Sequence, residues 1–217
     1  GTHGKTTTSS MIAHILKHAG KSSVALMGGI LQGYESNFIL EGKHSSETIA
    51  VLEADEYDRS FLRLSPDIAV VTSADADHLD IYGKHEEMKS SFRMFIEKVK
   101  PNGHVFINEL LSSWLINENE DVTSHSYSLE KGANKASNIH ISGSDFVFDF
   151  QGESSNITNI KLPIPGFHNV ENAVAAISVS LLLGLDAASI KGALATFKGV
   201  KRRFEYQIKT ERLVFID

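Results

Sequence analysis

The chain has 217 residues, 41% of them hydrophobic and 22% charged, with a formal net charge of −6 and no cysteine. That length holds one large domain, or one with a small appended lobe, around a core that needs no staples. The missing cysteines exclude disulfides and thiolate metal centres, and the acidic balance argues against nucleic acid, which is bound through basic patches. No segment reaches the apolar length of a membrane span, and the opening residues carry no secretory pattern. A cytoplasmic protein with no nucleic-acid or membrane partner is expected.

In chain order, Lys5 to Ala19 places Met11, Ile12, Ile15 and Leu16 at helical spacing, with Gly20 as a stop. Val24 to Met27 reads as a buried strand ending at Gly28-Gly29. Thr48 to Leu52 and Ile68 to Thr72 are short apolar, β-branched runs, the pattern of parallel strands covered on both faces. Between them, Arg59 to Leu64 predicts a short helix. Met88, Phe92, Phe95, Ile96 and Val99 predict a helix over Lys84 to Val99, stopped by Pro101-Asn102-Gly103 before the strand His104 to Ile107.

From about Val122 to Leu162 the segments become short and alternating, Phe146 to Phe150 among them, as in a small antiparallel sheet flanking the main one. Two helices follow, Asn169 to Leu183 and Ala187 to Thr196, and a strand pair around Tyr206 to Ile216 closes the chain. The alternation predicts a three-layer α/β domain with a mainly parallel sheet. Gly1 begins inside a loop whose leading strand is not in the sequence, and Leu213 to Asp217 stops as a strand finishes. A fragment of a longer protein is expected.

The strongest chemical signal is Gly1-Thr2-His3-Gly4-Lys5-Thr6-Thr7 ahead of a helix. Glycine lets backbone N–H groups approach phosphate oxygens, the helix N-terminus adds partial positive charge, and the Lys5 ammonium reaches the outer phosphates. The Thr6 hydroxyl suits magnesium. The alternative, a turn capping a helix beside a solvated lysine, is the weaker reading at a helix start.

Glu53, Asp55, Glu56 and Asp58 follow the strand that ends at Leu52. Ligands of open α/β sheets bind beyond the carboxyl ends of the strands, so Glu53 points toward the phosphate loop and can complete a magnesium site with Thr6. Asp58 reads as a solvated acid near Arg59. Asp75-Ala76-Asp77-His78-Leu79-Asp80 emerges at the same edge. The residues alone leave His78 open, because imidazole suits zinc or manganese better than magnesium. Asn169 and Asn172 share one face of a helix start, where asparagine is also a common cap. Lys201-Arg202-Arg203-Phe204-Glu205 is either a solvated bend or an anion site.

Taken together, the loop Gly1 to Thr7, Glu53-Ala54-Asp55-Glu56, Asp77-His78, His168-Asn169 through Asn172, and Arg203-Phe204-Glu205 resemble the Mur ligases in kind and order. The likeness runs along nearly the whole chain, and five ordered motifs are far more specific than one phosphate loop. The resemblance implies the central ATP-binding domain of an ADP-forming amide ligase of peptidoglycan synthesis. The UDP-binding and amino-acid-binding domains of such a ligase would lie outside residues 1–217.

It also implies roles. Gly1, Thr2, His3, Gly4, Lys5, Thr6 and Thr7 would hold ATP, with His168, Asn169, Asn172 and Arg203 contacting the nucleotide. Thr6 and Glu53 would bind one magnesium, and Glu53 and His78 a second metal, manganese being an alternative. Lys5, Glu53 and His78 would be catalytic. The Asp75 to Asp80 segment resembles the branch that joins UDP-N-acetylmuramate to L-alanine. Murein-peptide ligase and folylpolyglutamate synthase are the alternatives within the superfamily. Outside it stand a P-loop ATPase or kinase and a non-catalytic nucleotide-binding module. A GTPase would carry Asn-Lys-x-Asp, whereas Asn134-Lys135 is followed by Ala136-Ser137. Met88 to Arg93 offers no equivalent of the carbamylated lysine of some relatives.

Overall fold

In the computed structural model, three sheets and four α-helices are assembled from residues 1–43, 45–74, 85–153, 155–201, 206–209 and 214–216, which are the residues the structure describes. Helix α1 (Lys5–His18) starts directly at the glycine loop, and Met11, Ile15 and Leu16 are fully buried along its inner face. Each such side chain contributes about 1.5–3 kcal/mol when removed from water. Strands β1 (Ser23–Leu26), β2 (Phe38–Glu41) and β3 (Ile49–Leu52) form one sheet in the order β2-β1-β3. In it β1 runs antiparallel to β2 and parallel to β3.

After a 3₁₀ turn at Tyr57–Arg63 come β4 (Ile68–Val71), α2 (His85–Ile96) and β5 (His104–Asn108). Strands β6 (Thr123–Ser128), β7 (Asn134–Ser142), β8 (Asp145–Gln151) and β9 (Asn156–Leu162) complete a six-stranded sheet in the order β4-β5-β6-β7-β8-β9. Its pairings are parallel from β4 to β7 and antiparallel from β7 to β9. Helices α3 (Phe167–Leu182) and α4 (Ala187–Thr196) follow, then an antiparallel pair, β10 (Tyr206–Lys209) and β11 (Val214–Ile216).

The α/β architecture and mainly parallel sheet expected from the sequence are present. The antiparallel region between Val122 and Leu162 continues the main sheet edge to edge, and β6 joins it in parallel. The reason is β5: Val105, Phe106 and Ile107 are buried alternately in two cores, so its free edge accepts another strand.

One core holds α1, α3 and α4 against the sheets; the other packs Phe61, Met88, Phe92 and Phe95 against Ala69 and Val71 of β4. β4 is thus covered on both faces. β3 departs from the expectation: Leu52, Leu26, Phe38 and Leu40 lie on one sheet face at 48%, 50%, 50% and 56% exposure. A run of four apolar residues does not itself report whether one face or two is covered. Between β3 and β4 runs a cavity of about 560 Å³, bounded by Val51, Val70, Ile12 and Phe95, with Gly1 and Glu53 among its lining residues.

Candidate active site

The glycine loop is clamped by the end of β4. Thr2 N donates to the Ser73 carbonyl at 3.1 Å, His3 N donates to Ser73 Oγ at 2.7 Å, and Thr72 Oγ1 donates to the His3 carbonyl. Thr2 Oγ1 and Ser73 Oγ lie 3.0 Å apart. Gly1 is equally close: a Cβ there would come within 2.2 Å of Thr72 Oγ1. Gly4 closes the loop as the N-cap of α1 with φ +80°, a conformation that costs a residue with a Cβ about 1–2 kcal/mol. The helical ladder opens with Thr8 N to the Gly4 carbonyl at 2.9 Å. Earlier N–H groups of the helix start have no intrahelical acceptor and suit an anion.

The side chains of the first turn point to three different partners. Thr6, buried, donates from Oγ1 to Glu53 Oε1 at 2.9 Å, and Gly28 N donates to Glu53 Oε2 at 2.6 Å. Glu53 follows β3 directly, and its N–H is bonded to the Leu26 carbonyl of β1. Lys5, 17% exposed, donates from Nζ to Glu56 Oε1 at 2.7 Å and stands 3.6 Å from Asp55 Oδ1. Thr7 is half-buried in the same turn.

From α3, Asn172 meets the loop. Asn172, buried, faces Gly4 so closely that a Cβ there would lie 2.5 Å from its Oδ1, and that oxygen accepts from Thr8 Oγ1 at 3.3 Å. Asn169 is buried with its amide Nδ2 on the Pro165 carbonyl at 2.5 Å, an anchoring bond for the helix start. His168 is exposed and lies against Gly166. His78 and Arg203 lie outside the described residues. The chain reaches the site just before Arg203: Lys201 N bonds the Ile30 carbonyl at 2.8 Å, and a Cβ on Gly29 would meet Val200 at 2.8 Å and Thr6 at 3.3 Å.

The structure thus brings Gly1, Thr2, His3, Gly4, Lys5, Thr6, Glu53 and Asn172 together. It adds three contributors that the sequence reading did not assign: Thr72 and Ser73 as loop clamps, and Glu56 as partner of Lys5. Glu56 stood in the acidic run after β3, which was its only signal. Among the described residues no three His, Cys, Asp or Glu side chains gather as a metal site. Thr6 and Glu53 present adjacent hard oxygens, a donor pair that suits magnesium rather than a thiophilic metal.

Residues 1–180 match the family model of the Mur ligase middle domain. UDP-N-acetylmuramate–L-alanine ligases of Christiangramia forsetii and Flavobacterium psychrophilum are 44% and 45% identical over 221 and 219 residues. These alignments take in all of this chain and 45% and 46% of theirs. The crystal structure of UDP-N-acetylmuramate-alanine ligase MurC from Thermotoga maritima superposes with a TM-score of 0.82 at 31% identity, covering 100% of this chain and 48% of that one. The chain spans about half the length of the curated relatives it matches.

Proposed function

Because the chain belongs to the Mur ligase family, matched through its middle domain, we propose that it is the central ATP-binding unit of a longer cytoplasmic ligase joining L-alanine to UDP-N-acetylmuramate. The observation that carries the reading is the loop itself: a glycine-started helix, Lys5 at its mouth and Thr6 on Glu53. The relatives' printed substrates support the choice of acceptor and amine.

In the proposed reaction the γ-phosphate of ATP moves to the carboxylate of the sugar substrate, giving an acyl phosphate and ADP. The amine of L-alanine then attacks that carbonyl and phosphate leaves. The chain's own part is positioning and charge neutralisation. The loop N–H groups and the α1 N-terminus cradle the phosphates, and Lys5 offsets charge on the transferring group. Thr6 and Glu53 would hold magnesium, which when bound neutralises and orients the phosphate oxygens. His78 in a second metal site with Glu53, and His168, Asn169 and Arg203 at the nucleotide, remain proposals from the family resemblance. Asn172 has a second task, bracing Gly4.

The test is to assay the full-length protein for ADP release with ATP, magnesium, UDP-N-acetylmuramate and L-alanine. ADP release only when acceptor and amine are both present is expected, and Glu53→Gln should reduce it at least 100-fold, an order typical of one lost electrostatic stabiliser of the transition state. ATP hydrolysis indifferent to both substrates would favour a P-loop ATPase. Turnover with a preformed peptide in place of L-alanine would favour a murein-peptide ligase.

A further inference from the structure

Glu56 is a buried charged group to which the mechanism above gives no task. Its side chain is 1% exposed, and its Oε1 receives the Lys5 Nζ hydrogen bond at 2.7 Å. The neighbouring Asp55 is 58% exposed and 3.6 Å from the same nitrogen, so solvent screens most of its attraction. The backbone around Glu56 is fixed: its carbonyl accepts from Arg59 N at 3.1 Å, and the Asp55 carbonyl accepts from Phe61 N at 3.2 Å. Phe61 is sealed in the second core at 2% exposure. The carboxylate therefore projects toward the loop from a rigid base.

We infer that Glu56 is a positioning residue for phosphoryl transfer, holding the Lys5 ammonium at the mouth of the phosphate loop from its buried side. The inference rests on the nucleotide reading given above. Lysine carries its charge on a flexible four-carbon stem, and a lysine at a loop mouth otherwise samples many rotamers. A carboxylate buried this deeply is costly unless paired, so the contact persists with or without phosphate. An ammonium has three donors; one serves Glu56, which leaves two for other acceptors. The arrangement favours geometry over ground-state attraction, because a negative charge behind Lys5 weakens its pull on a bound triphosphate.

That trade predicts opposite effects on binding and turnover. In the full-length protein, Glu56→Gln keeps the shape and removes the charge. ATP should bind with unchanged or tighter Kd while kcat falls at least tenfold. Glu56→Asp keeps the charge on a stem one methylene shorter; it should fold, and its kcat should fall between the two. A second readout is independent of ligase activity: acylation of Lys5 by acetic anhydride, followed by peptide mass spectrometry without nucleotide, should quicken at least threefold in Glu56→Gln. Should that variant not fold, Glu56→Asp carries both measurements. The inference is overturned if kcat stays within threefold of wild type, if Kd and kcat deteriorate together, or if Lys5 acylation is unchanged. A wild-type protein without amide-forming turnover would sink the ligase reading alone, with the acylation result still deciding the role of Glu56.

Discussion

Lys5 shows how far a residue's surroundings alter its expected behaviour. Read from the sequence, it is a loop cation outside the core, and Lys5→Ala should cost little stability. In the structure its partner Glu56 is almost fully buried, and truncating one member of such a pair is strongly destabilising. Lys5→Ala should therefore destabilise by about 3 kcal/mol, and Lys5→Ala/Glu56→Gln should recover most of that loss. Urea unfolding of the four proteins of the cycle measures the coupling; additive losses would show that the pair is not what matters. Glu53 was legible because it follows a strand beside a phosphate loop. Glu56 was not, since nothing in the acids Glu53, Asp55, Glu56 and Asp58 says which one the next turn buries. Ser73 was less legible still, because a loop serine 70 residues from His3 carries no signal of its partner.

At the level of elements, the helices were the clearest. Period and stop signals located α1, α2, α3 and α4 to within a few residues, even though α3 is buried on every side from Asn172 to Ser180. Strand pairing was less accessible: parallel addition of β6 depends on the free edge of β5, which lies in tertiary structure. One cross-element staple has a measurable pH signature. His14 of α1 bridges Tyr34 OH at 2.9 Å and, through Nε2, the Ala193 carbonyl and Thr196 Oγ1 of α4 at 3.0 Å. Burial, opposed in part by the Ala193 carbonyl, lowers its pKa below the ordinary value. The unfolded chain then binds a proton that the folded one resists, so stability falls as pH drops below about 6.5 and levels off beneath the folded pKa. Urea midpoints at pH 8 and pH 5.5 should differ for the wild type, and His14→Gln should shrink the difference. His104, lowered by its own burial and by His125, adds to the same slope and would leave a residue of it.

On the scale of the whole molecule, the sheet divides beside the site: β2-β1-β3 carries Glu53, and β4 to β9 carry the Thr72-Ser73 clamp. Among the described residues the two groups of strands meet across the cavity without ladder hydrogen bonds. Helix α1 touches the first group through β1 and β3, and α3 and α4 as well. No described helix is long and apolar enough to cross a membrane.

The clamp ties the phosphate loop's local opening to the far side of that divide. Opening the loop requires breaking the bonds of Thr2 and His3 to Ser73, so whatever ligand favours the closed loop must equally favour an ordered end of β4, by reciprocity of linked equilibria. Saturating ADP should therefore slow amide hydrogen exchange at Thr2 and His3. Ser73→Ala removes the hydroxyl that His3 N donates to and keeps the carbonyl that holds Thr2 N, so it should raise exchange at His3 and weaken ADP several-fold, although Ser73 itself need never touch the nucleotide. Unchanged protection at His3 in that variant would mean that the Ser73 hydroxyl does not hold the loop.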